Sequence, residues 1–270
     1  MADEQIKLCI AGACGRMGQR LIALAVADDA FGIVGALECA DHPSVGQNIG
    51  TSAGAKSPII VTSDLSAGIA NCDVVLDFTV PEATLQHLEG AVEAKKAMVI
   101  GTTGFTDKQR ARLNELAARI PSVVASNMSL GVNLLFALAD DAARILGPDF
   151  DVEIIEAHHR FKKDAPSGTA RRLAEILAER RGLDVSKDLR HGREGIVGER
   201  PPDEIGVHAV RGGDIVGDHT VVFAGLGERI ELTHRAHSRD TFARGALRAA
   251  KFIVKQKPGI YTMQQVLGLK

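Results

Sequence analysis

The segment Glu156-Ala157-His158-His159-Arg160-Phe161-Lys162-Lys163-Asp164-Ala165-Pro166-Ser167-Gly168-Thr169 gathers imidazoles, cations and small hydroxyl residues just ahead of a predicted helix. Taken singly, each has an ordinary reading. A histidine is most often a satisfied core or surface residue, paired lysines in a loop are solvated charge, and Ser before Gly-Thr is a simple N-cap. Together they suit a carboxylate bound beside a proton donor. Amides and hydroxyls at a helix start favour an anion, and an imidazole, with a pKa of about 6.5, is readily tuned to give up a proton at neutral pH. Hydride addition to a conjugated C=C–C=N system needs such a general acid to quench the electron density that develops. A metal is not expected here. Adjacent histidines at a strand end project to opposite sides, and no second ligand cluster is evident.

A second set of residues supplies the other half of that chemistry. Gly12-Ala13-Cys14-Gly15-Arg16-Met17-Gly18 follows a predicted strand and opens a helix. Small residues there let the backbone approach a pyrophosphate, and the helix-start amides point at the anion. The spacing is Gly-x-x-Gly-x-x-Gly, one residue different from the commoner fingerprint, and glycines also serve tight turns for steric reasons alone. Glu38, about 20 residues past the turn, strengthens the dinucleotide reading because an acid there takes ribose hydroxyls. Arg16 reads either as a solvated first-turn residue or as a partner of a cofactor phosphate. Cys14 and Cys39 read as small space-fillers. Gly101-Thr102-Thr103-Gly104 and Ala125-Ser126-Asn127-Met128 follow later strands, where loops line the ligand crevice of a doubly wound sheet; an ordinary turn is the plainer alternative.

These residues need strands to end beneath them. Ile6–Ala11 and residues 32–37, 59–62, 74–78, 97–100 and 122–126 read as short strands, alternating with helical patterns from 16 to 27, from Thr79 and from Thr106. Thr79-Val80-Pro81-Glu82 offers a capping hydroxyl, an early proline and a following acid; Thr106-Asp107-Lys108-Gln109 repeats the pattern. After the run at 32–37 comes a loop rich in Gly, Ser, Asp and Pro, up to Pro58. Regular alternation of this kind implies a parallel sheet covered on both faces. After about residue 130 the pattern changes. A helix over 131–146 stops at Gly147-Pro148, a strand covers 150–157, and a helix from Ser167 ends at Gly182. Three strand-like runs between Ile205 and Ala236 look like an antiparallel meander, and a last helix spans 241–255 before Pro258-Gly259. The expected architecture is α/β: a Rossmann-like doubly wound parallel sheet plus a smaller α+β domain with a mainly antiparallel or mixed sheet.

Composition narrows the partners. The chain has 270 residues, 45% of them apolar, a net charge of −2, no Trp and one Tyr. A nucleic-acid binder would show basic excess and aromatic platforms. The apolar stretches are far shorter than the ~20 residues that cross a bilayer. Met1-Ala2-Asp3-Glu4 is acidic, unlike a signal peptide's start. Cys9, Cys14, Cys39 and Cys72 form no Cys-x-x-Cys pair, which speaks against a zinc site and a disulfide framework and for a reducing, cytoplasmic setting.

The run over 156–170 closely resembles the signature of the 4-hydroxy-tetrahydrodipicolinate reductase (dihydrodipicolinate reductase) family. The likeness extends through 12–18, Phe78-Thr79-Val80-Pro81-Glu82, 101–104, 127–133, 211–219 and 239–242, so it covers nearly the whole chain; the His-His-x-x-Lys-x-Asp-x-Pro-Ser-Gly-Thr motif is highly specific. The resemblance implies reduction of a cyclic dicarboxylate to tetrahydrodipicolinate with NADH or NADPH, in the bacterial route to diaminopimelate and lysine. By that likeness His158 is the proton donor and Lys162 assists as acid or carboxylate partner. His159, Ser167, Gly168 and Thr169 hold substrate carboxylates. Gly12, Ala13, Cys14, Gly15, Arg16, Met17, Glu38, Gly101, Thr102, Thr103, Ala125, Ser126, Asn127 and Met128 line the cofactor. Residues 1–130 and 240–270 then form the dinucleotide-binding domain, and 131–239 the substrate-binding and oligomerisation domain of a homotetramer whose domains close on ligand. Many relatives carry a basic residue after the ribose-binding acid, where it meets the 2′-phosphate of NADPH. Cys39, followed by Ala40 and Asp41, stands there in this chain and implies that NADH works at least comparably.

Two other readings share the first domain. Another two-domain amino-acid dehydrogenase, such as an aspartate dehydrogenase, would carry different acids and bases in place of His-His-x-x-Lys and Pro-Ser-Gly-Thr. A non-catalytic dinucleotide sensor would need no proton donor.

Overall fold

The structure, a computed structural model, describes residues 5–50, 54 and 58–269. The acidic start at residues 1–4 and part of the loop before Pro58 lie outside them. Strands and helices alternate first: β1 (Ile6–Ala11), α1 (Arg16–Val26), β2 (Phe31–Leu37), β3 (Val61–Thr62), α2 (Leu65–Ile69), β4 (Val74–Asp77), α3 (Pro81–Glu93), β5 (Ala97–Ile100), α4 (Asp107–Ala117) and β6 (Pro121–Val124). There follow α5 (Leu130–Leu146), β7 (Asp151–His158), α6 (Gly168–Arg181), β8 (Leu189–His191), β9 (Ile205–Arg211), β10 (Gly217–Gly225) and β11 (Glu228–Ala236). α7 (Asp240–Ile253), β12 (Gly259–Tyr261) and α8 (Met263–Val266) close the chain. Contacts divide it into two units, one running to Leu130 and resuming at Asp240, the other Gly131–Arg239.

In the first unit seven strands pair in the order β12-β6-β5-β4-β1-β2-β3, all parallel. Side-chain alternation builds a core on each face. Leu8 and Ile10 of β1 pack with α1 and α7, whereas Cys9 and Ala11 pack with α3 and α4. α1 turns Gly18, Leu21, Ile22 and Ala25 inward at helical spacing, and burial of a residue such as Leu21 contributes ~1.5–3 kcal/mol. The strand order reverses between β1 and β4, so the ligand crevice of such a sheet belongs at their carboxyl ends.

Two local expectations give way here. The run at 59–62 contributes only Val61-Thr62 to the sheet, because Ile60 bridges Asn48 in the preceding loop. Nor does Thr79 cap α3. Val80 is the N-cap, without a side-chain bond, and the Thr79 hydroxyl donates to Asp77 Oδ1 at 2.7 Å. A buried carboxylate is the stronger acceptor, and Pro at the helix start leaves one amide fewer to cap. Thr106, by contrast, forms its capping box with Gln109.

The second unit holds a five-stranded mixed sheet in the order β11-β10-β7-β9-β8. β10 and β11 form an antiparallel hairpin, and β10 also runs antiparallel to β7. β9, however, pairs parallel with β7 rather than with β10, so the expected three-stranded meander is interrupted. The segment Gly212-Gly213 steps over the end of β7, with the Gly212 amide donating to the His158 carbonyl at 2.9 Å. This arrangement gives β7 a neighbour on both edges, which satisfies its backbone on both sides. α5 and α6 cover one sheet face through Leu135, Phe136, Leu173 and Leu177 against Val152, Ile154, Val221 and Phe223. Among the described residues no helix is long and apolar enough to cross a membrane.

Candidate functional site

In the first unit, three glycines shape the turn after β1. Gly12 has φ +67°, and a Cβ at Gly18 would collide with the Gly12 carbonyl and the Ala13 backbone. The Gly15 amide donates to Gly12 O at 3.0 Å, and Gly15 then serves as N-cap of α1 with no side-chain cap. The first amides of α1 are left for an outside acceptor, which is what a pyrophosphate requires. Glu38, at the end of β2, reaches back to the turn: Oε2 accepts from the Cys14 amide and Oε1 from the Cys39 amide, both at 3.1 Å. The acid beside the turn and the turn itself are thus one assembly, and it fits a dinucleotide. Arg16 is exposed and makes no hydrogen bond or ion pair among the described residues; Met17 flanks the core. Cys39 is exposed.

The other predicted cofactor residues follow β5 and β6, on the same sheet edge. Gly101 has no room for a side chain, because a Cβ would strike the Phe78 ring. Thr103 and Ser126 are exposed, and Ala125 and Asn127 are half-buried. Thr102 and Met128 point inward instead, 7% and 1% exposed, so only their backbones are left to face a ligand. The Thr102 hydroxyl joins a buried hub that sequence reasoning missed. Asp77 Oδ1 accepts from the hydroxyls of Thr79 (2.7 Å), Thr84 (3.0 Å) and Thr102 (3.2 Å), and Oδ2 meets His87 Nδ1 at 2.6 Å. Burial alone would raise this carboxyl, but His87 and Thr79 outweigh it and hold Asp77 below its ordinary range. The hub ties the loops after β4 and β5 to α3.

The second unit's cluster grows from β7. Val152, Ile154 and Glu156 share its buried face, and strand alternation puts His158 on the same side. Glu156 is fully buried, and both its oxygens are used twice. Oε2 accepts from Arg211 (2.7 Å) and meets His158 Nδ1 (2.7 Å); Oε1 accepts from Arg211 (2.8 Å) and from the Ser167 amide (3.0 Å). Burial would raise the Glu156 carboxyl, but Arg211, His158 and Ser167 pull it below the ordinary range. Burial pushes the His158 imidazole below its usual pKa despite the opposing pull of Glu156. With Nδ1 committed, His158 Nε2 lies over Gly217, whose missing side chain would approach it to 3.0 Å.

Around this pair the predicted substrate residues take different parts. Lys162 forms a bidentate pair with Asp164 at 2.9 Å. His159 has a buried Nδ1 with no partner among the described residues. The Ser167 hydroxyl is already engaged, accepting from the Ala170 amide at 3.2 Å and meeting His219 Nε2 at 3.1 Å. Gly168 has open space above it at the start of α6, and Thr169 is half-buried beside it. Sequence reasoning assigned no role to Glu156, Arg211 or His219. Glu156 was detectable, since it lies two residues before His158 on one strand face. His219, 3% exposed and held by burial at a pKa of about 3, stands edge-on to His158 with ring centres 5.2 Å apart.

Comparisons with known proteins cover both units. The family described as Dihydrodipicolinate reductase, N-terminus, matches residues 6–128, and Dihydrodipicolinate reductase, C-terminus, matches residues 131–267. The chain is 54% identical over 266 residues to the 4-hydroxy-tetrahydrodipicolinate reductase of Geotalea uraniireducens, covering 98% of this chain and 100% of that one. It is 53% identical to the enzyme of the same name from Citrifermentans bemidjiense, with the same coverage. A solved structure of dipicolinate-bound dihydrodipicolinate reductase from Paenisporosarcina sp. TG-14 superposes with a TM-score of 0.76 at 28% identity, over 97% of this chain and 99% of that one.

Proposed function

This chain belongs to the dihydrodipicolinate reductase family, and from that membership we propose how its residues divide the reaction. It is an NAD(P)H-dependent oxidoreductase that reduces 4-hydroxy-tetrahydrodipicolinate, a small cyclic dicarboxylate, to tetrahydrodipicolinate in the diaminopimelate route to lysine. The nicotinamide supplies a hydride when bound. His158 supplies the proton from Nε2, its ring oriented by Glu156 at Nδ1. The observation that carries this role is the Glu156–His158 contact, which leaves one imidazole nitrogen and only one for the substrate. Because burial holds His158 below the ordinary imidazole range, its protonated form is a strong acid for its type, and a bound carboxylate raises its charge occupancy. Lys162 assists as second acid or carboxylate partner.

The half-buried His159 imidazole and the amides of Gly168 and Thr169 hold the substrate carboxylates. Ser167 serves by capping the helix that presents those amides. Residues 12–17, Glu38, 101–103 and 125–128 bind the dinucleotide. Accordingly, 1–130 with 240–270 is the dinucleotide domain, and 131–239 the substrate and assembly domain. The sheet face opposite α5 and α6 carries exposed Ile155 and Val210, a surface suited to homotetramer assembly. Four unpaired cysteines suit a reducing cytoplasm. The test couples synthase-generated substrate to NADH oxidation. Turnover in the wild type and its collapse in His158→Gln and Lys162→Ala are expected, with dinucleotide binding kept; unchanged turnover in both variants refutes the role assignment.

A further inference from the structure

Three groups with metal-ligand chemistry meet beside the dinucleotide turn although they are far from forming a motif in sequence. Cys14 stands in the turn, Glu38 at the end of β2 and His42 in the loop after it. Their ligand atoms all lie within 4.8 Å of one another, and each residue is half-buried. Cys14 and His42 line a cleft of about 540 Å³ together with Gln19, Arg20 and Ser44, so the cluster has an entrance. We propose that Cys14 Sγ, the Glu38 carboxylate and the His42 imidazole form a three-ligand site for a borderline divalent cation such as zinc, and that its occupation excludes the dinucleotide.

The donor set fits that class of ion. Thiolate, imidazole and carboxylate together select zinc or cadmium over magnesium or calcium, and three protein ligands leave a fourth position for water. Two of the ligands are held in place without the metal. Glu38 is fixed by the Cys14 and Cys39 amides, and each carboxylate oxygen keeps a further lone pair for a cation. His42 is anchored by its turn, its amide donating to the Cys39 carbonyl at 3.0 Å. Its Nδ1 accepts only a long 3.2 Å bond from the Ser44 amide, a lone pair that a metal can take over. No cysteine spacing announces the site, because its donors come from two strand ends and a loop.

Exclusion of the dinucleotide follows from Glu38, and this part rests on the dinucleotide reading above. With one lone pair on each Glu38 oxygen already taken by a backbone amide, a dication that takes the remaining pair leaves none for ribose hydroxyls. The remaining cysteines give the internal controls. Cys39 is exposed next to Glu38 yet outside the triad, and Cys9 and Cys72 are fully buried.

Cadmium titration of the full-length protein, followed by its thiolate charge-transfer absorption, tests the site directly. One cadmium per chain is expected for the wild type and for Cys39→Ser, no band for Cys14→Ser, and at least about tenfold weaker affinity for His42→Ala. A band absent from the wild type, surviving in Cys14→Ser or lost in Cys39→Ser overturns the site. Zinc should also raise the apparent Kd for NADH about tenfold or more in the wild type and much less in His42→Ala, whose metal-free turnover stays at the wild-type level. NADH binding indifferent to zinc overturns the exclusion. A chain that takes cadmium at Cys14 but never binds NADH upholds the metal site and refutes the dinucleotide reading instead.

Discussion

Each unit buries one carboxylate at the end of a central strand and sets it against an imidazole: Asp77 with His87 at 2.6 Å, Glu156 with His158 at 2.7 Å. Their other partners differ. Asp77 accepts from three threonine hydroxyls, two on the surrounding loops and one on α3, and from no guanidinium. Glu156 is clamped by Arg211 and by one helix-start amide. The first carboxylate spends its lone pairs on the shape of loops. The second carries a neutralised charge and directs one ring nitrogen outward. The same pair of residue types therefore does scaffolding in one place and, in the proposed mechanism, orients a proton donor in the other, and the flanking donors decide which.

Matched substitutions break the comparison most sharply at the imidazoles. His158→Gln should lower kcat by about 10²–10⁴-fold, the usual worth of a general acid, while His87→Gln leaves kcat within a few-fold. Comparable losses in steady-state kinetics would erase the distinction. The carboxylates come next. Glu156→Gln strands the Arg211 guanidinium and should cost about 3–5 kcal/mol in denaturant unfolding, with kcat reduced. Asp77→Asn keeps an acceptor for the threonines; about 1–3 kcal/mol is expected, with a raised KM for the dinucleotide and little change in kcat.

Acid should separate the units in time. His158, His219 and His234 are held below the ordinary imidazole pKa by burial, and all belong to the second unit. A depressed folded-state pKa means stability present above the unfolded value, about 6.5, and lost as pH falls toward the folded one, about 3 for His219. Asp77 and Glu156 are also depressed, so their contribution disappears only below about pH 4, the unfolded carboxyl range. Hydrogen exchange between pH 6.5 and pH 4 should therefore rise first in Gly131–Arg239, and His219→Gln should flatten that rise. Simultaneous loosening of both units would contradict it. The smallest effect concerns the cofactor: with Cys39 where a basic residue would meet a 2′-phosphate, kcat/KM for NADPH should exceed that for NADH by less than about tenfold, one such ion pair being worth little more.

Much of this was legible because it is local. The alternation of Leu8, Cys9, Ile10 and Ala11, the stripe on α1 and the Thr106 capping box each depend on neighbours within a few residues. Thr79 was misread for the same reason: its spacing matches a cap, but Asp77 competes for the hydroxyl through a tertiary arrangement. The passage of β9 to the far edge of β7 likewise depends on what β7 needs, not on the glycines between β9 and β10. At the site, the motif residues were visible as a set, whereas their division of labour was not. Arg211 lies 55 residues from Glu156, and the hydroxyl of Ser167 turned out to be engaged within the fold. Charge pairing of that range leaves no periodic trace in a single sequence.

α7 and β12 reach the first unit from the far end of the chain. α7 buries Ala243, Ala246, Leu247 and Ala250 against the face that includes Leu8 and Leu21, and β12 completes the sheet beside β6. During translation, then, β1 to β6 emerge with α1 on that face but without α7. At ~5–20 residues per second the ribosome needs on the order of 10 s to deliver α7 after β6. Gly131–Arg239 is finished within that interval, whereas the earlier-made unit waits with part of one apolar sheet face, the part that α7 will bury, open to water. The newborn chain is therefore most exposed to aggregation in its oldest part, and a chaperone that shields β1 and α1 until release would guard the step on which its yield depends.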